Sequence, residues 1–275
     1  MLRIIRARLR QGHRTTRYPA GPPPSLPERY AGMPVIDGAE CPSGCSRCID
    51  ACPAGAVARC GRSVSIDTGM CVFCGACETA CPRGAISFTR EHRLASRDRE
   101  GLIVKPGAAP GPRDIFDAKA AAVFGRSLKL RQVSAGGCNA CEADTNVLGT
   151  VGWDLGRFGI QFVASPRHAD GLLVTGPVTL NMREALLSTY DAVPEPRIVI
   201  VTGACAISGG LFRGMPATSG GAEGLLPVDL YIPGCPPHPL TILDSLLRFL
   251  GRTGPDGRKA PGGRIRAAKP VGEPE

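Results

Sequence analysis

The sequence predicts a small α+β module followed by an α/β domain built on a doubly wound parallel sheet. Nine of the 13 cysteines lie between positions 41 and 81, in two runs of nearly equal spacing. Beyond residue 126 the pattern changes to short apolar runs that alternate with helical segments. Such alternation is typical of a parallel sheet with helices packed on its faces.

The second cysteine run, residues 71–82, has the C-x2-C-x2-C-x3-C-P spacing of a bacterial [4Fe–4S] ferredoxin. The first run, residues 41–53, is the same run with one extra residue in its first gap. The residues that follow, 53–57 and 82–86, repeat one turn-into-strand pattern. We therefore interpret the module as an internal duplication that holds two iron–sulfur clusters.

The ligands of these two clusters follow from one rule. In two-cluster ferredoxins, the fourth cysteine of each run binds the other cluster. The extra residue in the first run could displace Cys41, and Cys60 fits neither run, so we interpret Cys60 as a buried or free thiol. The rule assigns Cys41, Cys45, Cys48 and Cys81 to one cluster, and Cys71, Cys74, Cys77 and Cys52 to the other.

Zinc and disulfide bonds are the alternatives for these cysteines. Zinc sites use two C-x2-C pairs for each metal, often with histidine, and no histidine lies near either run. Disulfides would require an export signal, and the first residues alternate Leu or Ile with Arg instead. No apolar stretch approaches the ~18–20 residues that cross a membrane. We therefore expect a cytoplasmic chain with reduced thiols.

The net charge of +9 is concentrated near the start of the chain, where residues 1–30 hold seven Arg and one Glu. Leu2, Ile5 and Leu9 can share one face of a short basic helix. Such a helix can contact an anionic membrane surface or an acidic partner, and a solvated tail is the alternative. We expect no nucleic-acid binding, because the basic residues match no such motif.

The later apolar runs predict buried parallel strands at 159–165, 171–175, 197–202 and 228–233. Helices are predicted at 181–193, with Asn181 as N-cap, and at 238–252. This alternation predicts a flavodoxin-like sheet, in which chemistry gathers at the carboxyl ends of the strands. The predicted fold is therefore an α+β two-cluster ferredoxin module followed by an α/β flavodoxin-like, doubly wound parallel-sheet domain.

Composition divides the chain into five segments. A Gly/Pro-rich stretch, Lys-Pro-Gly-Ala-Ala-Pro-Gly-Pro, marks a linker ahead of a short helix between Asp114 and Phe124. The predicted segments are a basic helix with a Pro-rich extended arm (1–35), the two-cluster module (36–90), the linker (91–125), the α/β domain (126–252) and a disordered basic tail (253–275).

The cysteines of the α/β domain predict a third cluster. Cys205 and Cys235 follow two of the predicted strands, and Cys138 and Cys141 lie ahead of a predicted helix. Neighbouring glycines let the backbone approach a cluster closely. A zinc ion or scattered buried thiols are the alternatives for these four residues.

The motifs resemble those of a known family. Residues 126–252 are similar to the small, cluster-bearing subunit of group 4 membrane-bound [NiFe] hydrogenases and formate hydrogenlyase, which is related to the PSST-type subunit of respiratory complex I. Residues 1–104 are similar to the TYKY-type two-cluster subunit of the same complexes. The chain thus resembles a fusion of two neighbouring subunits. The motifs that carry the resemblance are at 137–142, 157–160, 165–170, 175–179, 203–210 and 231–237, and at 16–19, 26–30 and 64–67.

This resemblance implies an iron–sulfur electron-transfer subunit with three [4Fe–4S] clusters and no catalytic residue of its own. The third cluster would be proximal to an active site on a hydrogenase- or complex I-type large subunit. An integral membrane subunit and an electron donor or acceptor protein are the other implied partners, and the implied location is the cytoplasmic face of the inner membrane. The alternative is the equivalent subunit of a complex I-like or hydrogenase-related quinone or acceptor oxidoreductase that lacks nickel.

The resemblance also implies residues that tune the proximal cluster or contact the large subunit. Asp144 stands where hydrogenase relatives usually place Glu, so any polar contact made there is reshaped. The cysteines at positions 138 and 141 are separated by two residues, as on the hydrogenase side of the family, whereas complex I members carry them adjacent. The implied interface or tuning residues are Asp144, Arg157, Arg167 and His168, and ordinary surface charge is the alternative for the last three.

Overall fold

The computed structural model describes residues 2–12 and 14–254. The predicted basic tail therefore lies outside the described residues from position 255 onward. Within the described part of the chain, no helix combines the length and apolar character needed to cross a membrane.

The first half of the chain is built from short elements around the two cysteine runs. Strand β1 pairs antiparallel with β4, and β2, β3 and β5 form a second antiparallel sheet. Helices α2 and α3 each carry the third cysteine of a run and contact each other. The elements are α1 (Leu2–Gln11), β1 (Pro34–Ile36), α2 (Arg47–Asp50), β2 (Val57–Cys60), β3 (Ser63–Asp67), α3 (Ala76–Ala80), β4 (Ile86–Phe88) and β5 (Ile103–Val104).

Residues 91–125, which the composition assigns to a linker, form an ordered connection. Strand β5 extends the β2–β3 sheet by pairing with Ile66 and Asp67. Ser96 exchanges both backbone hydrogen bonds with Tyr231 of the second half, at 2.8 and 3.1 Å. The predicted helix begins at residue 118 because Asp117 caps it, its carboxylate accepting the Ala120 amide at 2.8 Å.

The second half contains a five-stranded parallel sheet. The strands lie in the order β10-β9-β8-β6-β7, and every pair is parallel. Counted along this half of the chain, the order is 2-1-3-4-5, which is that of flavodoxin-like sheets. The elements are α4 (Ala118–Phe124), β6 (Leu128–Ser134), α5 (Ala140–Val147), β7 (Ile160–Phe162), β8 (Gly171–Thr175), α6 (Leu180–Asp191), β9 (Ile198–Thr202), α7 (Ala204–Ser208), β10 (Leu230–Ile232) and α8 (Pro239–Phe249).

Alternate residues of the central strands enter two separate cores. Leu173 and Ile200 pack in the core that contains α4 and the apolar residues of α8. Their neighbours Leu172 and Val201 pack in the core that contains residues of α6 and α7. Since successive strand residues point to opposite faces, the two cores lie on opposite sides of the sheet, and the doubly wound arrangement follows.

The predicted strands differ from the observed ones in length and in one omission. The run at 171–175 is β8 over its full length and β9 begins one residue later than predicted, whereas the two edge strands, β7 and β10, are shortened to three residues each. The sheet also contains β6, which was not predicted. Lys129 and Arg131 interrupt its apolar residues, so it did not match the continuous apolar pattern of a buried strand.

The two long helices of the second half begin at other residues than predicted. Helix α6 starts at Leu180 with Thr179 as its N-cap, so the prediction of Asn181 as N-cap was wrong. Helix α8 starts at Pro239, and the Nδ1 atom of His238 accepts the Leu240 amide at 3.1 Å. Proline lacks an N–H group, but at the first helical position this costs no hydrogen bond, because an N–H group there would have no acceptor within the helix.

Buried polar side chains join the N-terminal arm to the second half. The Tyr18 hydroxyl donates to the Asp244 carboxylate on α8, which also pairs with Arg248 at 3.3 Å. Both Asp244 and Arg248 are buried. Burial, followed by the neighbouring Asp244 charge, raises the pKa of Tyr18 above its ordinary value, so the phenol remains a donor at neutral pH.

Replacing Tyr18 with Phe removes one donor from a buried carboxylate. We expect Tyr18→Phe to lower the free energy of unfolding by about 1–3 kcal/mol, measured by denaturant titration of the intact chain. Tyr190→Phe is the matched control, because the Tyr190 hydroxyl makes no hydrogen bond within the described residues. Equal losses in the two variants would contradict a stabilising role for the Tyr18–Asp244 bond.

Candidate metal centres

The first set of thiols surrounds one enclosed pocket. Cys41, Cys45, Cys48 and Cys81 line it together with apolar residues that include Ile36. Burial and then the nearby thiols of the set raise the pKa of Cys48. The structure thus brings together the four cysteines that the crossing rule assigned to one cluster.

The longer gap in the first run does not remove Cys41 from this pocket. In both runs the residue directly before the second cysteine has a left-handed backbone conformation, with φ of 79° at Gly44 and 54° at Phe73. The chain therefore enters the second cysteine of each run in the same way. The additional residue lies earlier in the loop, between Cys41 and Gly44.

Two thiols of the second set, Cys71 and Cys77, lie in the core of the first half, whereas Cys74 is exposed. Burial, followed by the nearby thiols of Cys77, Cys52 and Cys74, raises the pKa of Cys71 to about 12. Burial raises the pKa of Cys77 to about 11, with Cys52 as the next cause. Cys52 comes from the first run, so the structure brings it together with cysteines of the second run.

The internal duplication extends to the hydrogen bonds of the exchanged cysteines. The Ala56 amide donates to Cys52 Sγ at 3.2 Å, and the Ala85 amide donates to Cys81 Sγ at the same distance. In each case the donor lies four residues after the cysteine, beyond the Pro-x-Gly turn. An N–H group aimed at sulfur stabilises the thiolate and is one means by which proteins set cluster potentials.

The third set of thiols gathers at the carboxyl ends of the parallel strands. Cys138 and Cys141 follow β6, Cys205 lies on α7 directly after β9, and Cys235 follows β10. Burial and the neighbouring Cys235 and Cys138 thiols raise the pKa of Cys205 to about 11. Cys138 and Cys235 are exposed, whereas Cys141 and Cys205 are partly buried. This set therefore reaches the protein surface.

Two glycines make room for the third set. A Cβ atom at Gly203, where φ is 92°, would lie only 2.5 Å from Cys141 Sγ. A Cβ atom at Gly210 would lie 3.1 Å from Cys205 Sγ. The first separation is below any real Cβ contact, so glycine at position 203 is required for Cys141 to point into the set.

Glu142 is part of this centre, and the sequence reading assigned it no role. Its side chain is buried and its Oε1 accepts hydrogen bonds from Ser134 Oγ and Thr175 Oγ1, both at 2.6 Å. These hydroxyls close the carboxyl ends of β6 and β8. Burial, with Glu142 as the next cause, raises the pKa of Cys141. The available signals were the position next to Cys141 and the hydroxyl residues that end two strands.

The four other candidates lie in different surroundings. Asp144 lines a cleft with Phe73, Cys235 and Tyr30, and burial raises its pKa. The structure thus brings Asp144 near Cys235 of the third set and near Phe73 of the second run.

Arg157 instead binds the N-terminal arm, donating to the backbone oxygens of Thr16 at 2.7 Å and Tyr18 at 2.8 Å. Its guanidinium also stacks 4.6 Å above the Phe158 ring. Arg167 and His168 are exposed in the 3-10 turn that precedes β8. The cysteines of the third set follow the carboxyl ends of strands, so these two residues belong to a different part of the sheet.

The second and third sets face each other across the contact between the halves. Val72 and Phe73, inside the second run, line the same cleft as Cys235. Ser208 Oγ on α7, the helix of Cys205, donates to the Gly69 oxygen at 3.0 Å, just ahead of the second run. Arg99 bridges the halves by pairing with Asp67 at 2.5 Å and Glu223 at 3.2 Å. The second set therefore lies on the side of the first half that contacts the second half.

The donor sets fit [4Fe–4S] clusters. Each of the three sets supplies four thiols, which is the number that such a cluster takes, and the glycines at 203 and 210 leave the space that the sulfur atoms need. Cys60 belongs to none of the sets and lies at the end of β2, paired with Ser63. Cys60 is partly buried there, and its assignment as a buried or free thiol stays a prediction.

Comparison with known proteins identifies two families along the chain. Residues 138–249 match the family described as NADH ubiquinone oxidoreductase, 20 kDa subunit, and residues 64–87 match the 4Fe-4S binding domain family. The second match contains the run of Cys71 to Cys81. The chain therefore joins a [4Fe–4S]-binding region to a domain of the 20 kDa subunit type.

Relatives of two kinds share the second half. A probable membrane-bound hydrogenase subunit of Pyrococcus furiosus is 42% identical over 127 residues, 46% of this chain and 76% of the relative. An NADH-quinone oxidoreductase subunit of Desulfovibrio desulfuricans is 40% identical over 153 residues, 55% of this chain and 80% of the relative. Formate hydrogenlyase subunit 7 of Escherichia coli is 45% identical over 126 residues, but the match spans only 49% of that protein and 46% of this chain.

Truncating Glu142 removes the acceptor shared by the buried Thr175 hydroxyl and the exposed Ser134 hydroxyl. We expect Glu142→Ala to lower the free energy of unfolding by about 2–3 kcal/mol, measured by chemical denaturation under anaerobic conditions. Glu142→Gln keeps an acceptor oxygen of the same reach and should lose clearly less. A Gln variant as unstable as the Ala variant would mean that the charge, and not the pair of hydrogen bonds, supplies the stabilisation.

Proposed function

We propose that this chain, which belongs to the family of the 20 kDa subunit of NADH ubiquinone oxidoreductase, is an electron-transfer subunit that carries three [4Fe–4S] clusters. Its relatives are subunits of hydrogenase and NADH-quinone oxidoreductase complexes, so we place it in an oxidoreductase complex of this group. Electrons would pass through the three clusters to or from an active site on a partner large subunit.

The observation that carries this proposal is the grouping of twelve cysteines into three sets of four. The first set is defined by its shared pocket, and the second and third by the mutual influence of their thiols. A single zinc ion needs its sulfur ligands about 2.3 Å from the metal. Among the described residues, no three Cys, His, Asp or Glu side chains converge as a single ion requires. The C-x2-C-x2-C-x3-C-P spacing of residues 71–82 favours a [4Fe–4S] cluster over a zinc ion.

Bound clusters would supply one-electron transfer, and the chain would supply their surroundings. The Ala56 and Ala85 amides would donate to cluster ligands in the first half. Glu142 would place a buried carboxylate beside the third set. Amide donors and burial are the means by which a protein adjusts the reduction potential of such clusters.

The positions of the sets suggest the direction of the path through the molecule. The second run contacts the third set at a shared cleft, and the third set reaches the surface at Cys138 and Cys235. We propose that the large subunit covers this exposed edge, which makes the third cluster proximal to the active site. The first cluster then exchanges electrons with a donor or acceptor protein.

The active site on the large subunit, where the electron path ends, distinguishes the leading proposal from its alternative. A hydrogenase or formate hydrogenlyase-like complex would hold nickel in the large subunit, and the two-residue spacing between Cys138 and Cys141 favours this group. A complex I-like or hydrogenase-related quinone or acceptor oxidoreductase would lack nickel, and the match to the NADH-quinone oxidoreductase relative supports that alternative. Nickel analysis of the co-purified large subunit separates the two. In either complex we propose a peripheral position on the cytoplasmic face of the membrane, next to an integral membrane subunit.

Iron content tests the number of clusters. We expect anaerobically purified protein to hold ~12 Fe and ~12 sulfide per chain, measured by metal and acid-labile sulfide analysis and by low-temperature EPR after dithionite reduction. Cys141→Ser should lose the signal of one cluster, whereas Cys60→Ser should keep all the iron. Zinc in place of iron, or an iron loss in the Cys60 variant, would contradict the assignment.

The space beside Cys141 gives a second test that leaves every ligand in place. We expect Gly203→Ala to lose about four Fe per chain, because the new Cβ would collide with Cys141 Sγ. Gly214→Ala is the matched control, since its φ of 77° is also positive but its Cβ would meet nothing within 4 Å. Both variants carry the strain of a positive φ, so equal iron loss would show that strain, and not the collision, is responsible.

A further inference from the structure

Helix α1 presents apolar side chains to solvent. Leu2, Ile5 and Leu9 are 82%, 56% and 77% exposed, and no residue of the helix is buried. At about 100° per residue, these three side chains fall within a sector of about 60°, and Ile4 lies on the opposite side of the helix. The described residues thus contain an apolar stripe that the rest of the chain does not cover.

Arginines border this stripe on both sides. Arg6 lies next to it beyond Leu2 and Arg8 next to it beyond Ile5, while Arg3 and Arg10 complete a helix that holds no acidic residue. Within residues 2–12 and 14–254, no carboxylate forms a salt bridge with these four side chains. Long arginine side chains can lie along an apolar surface and still reach a charged layer beside it.

The segment after α1 fixes where this helix leaves the body of the protein. Thr15 Oγ1 donates to the Val151 oxygen at 2.9 Å, and the Thr16 amide donates to the Gly152 oxygen at 2.8 Å. Arg157 holds the same segment from the other side. Val151 is itself 70% exposed. The anchor at Thr15 and Thr16 therefore lies at an exposed surface just beyond the end of α5, and α1 ends a few residues before it.

We propose that α1 lies on an anionic lipid surface, with Leu2, Ile5 and Leu9 inserted between the headgroups and the flanking arginines paired with lipid phosphates. A helix with a narrow apolar face, low overall hydrophobicity and many basic residues lies in the plane of such an interface. This inference deepens the membrane position given in the proposed function, but it depends on none of the clusters. It assigns the side of α1 and Val151 as the one that faces the bilayer.

Vesicle flotation of the full, cluster-loaded chain tests the proposal. The protein should float with vesicles that contain phosphatidylglycerol, should remain unbound with phosphatidylcholine alone, and should dissociate as salt is raised. Leu9→Gln should weaken the partition by about tenfold, because it removes one inserted apolar side chain. Ile4→Gln, the matched control on the opposite side, should change the partition by less than about twofold. Arg6→Gln should weaken it by about fivefold.

Three results would overturn the proposal. The intact chain could fail to bind anionic vesicles, or the Ile4 and Leu9 variants could weaken binding equally. The third is a chain that ignores vesicles but loses its binding to the co-purified complex when Leu9 is changed, which would assign the stripe to an acidic protein surface. Iron content measured on the same samples separates this outcome from failure of the proposed function, since α1 contributes no cysteine.

Discussion

Crowding of four thiols into one space is the constraint on which the rest of this structure depends. Burial, followed by nearby thiols, raises the pKa values of Cys71 and Cys77 to about 12 and 11, which makes loss of the thiol proton less favourable than in water. Metal binding replaces those protons and is therefore coupled to folding. In the first half, Cys48, Cys71 and Cys77 are buried members of the apolar core. The candidate metal ligands there are therefore part of the core.

Polar contacts hold the two halves of the chain in a fixed position relative to each other. The second half has a large core on each face of its sheet, and the small first half is held against it by polar contacts. Arg99 joins Asp67 to Glu223, and the Ser208 hydroxyl reaches the Gly69 oxygen. Tyr18 and Asp244 add a buried bond on the other side. Such directional contacts fix orientation in a way that apolar contact alone does not, because each hydrogen bond tolerates little change in distance or angle.

Local sequence patterns predicted which cysteines lie together better than they predicted the residues around those cysteines. The grouping of cysteines could be read from the sequence, because ligand spacing within a run is set by a few residues of backbone. The apolar runs likewise predicted β8, β9 and β10. Strand β6 was missed because Lys129 and Arg131 interrupt its apolar residues, although it is central in the sheet. The roles of Glu142 and Arg157 depend on partners 33 and 141 residues away in the chain, and no local pattern contains that information.

Residues 91–125 join the two halves of the molecule within one polypeptide. Since β5 pairs with the first half while Ser96 pairs with Tyr231 in the second, the two halves are linked by a short, structured stretch of one polypeptide. Their encounter is intramolecular and has a high effective concentration, which dilution does not lower. One translation product therefore delivers both halves in equal number, and the gap between the second and third centres cannot open through loss of a subunit.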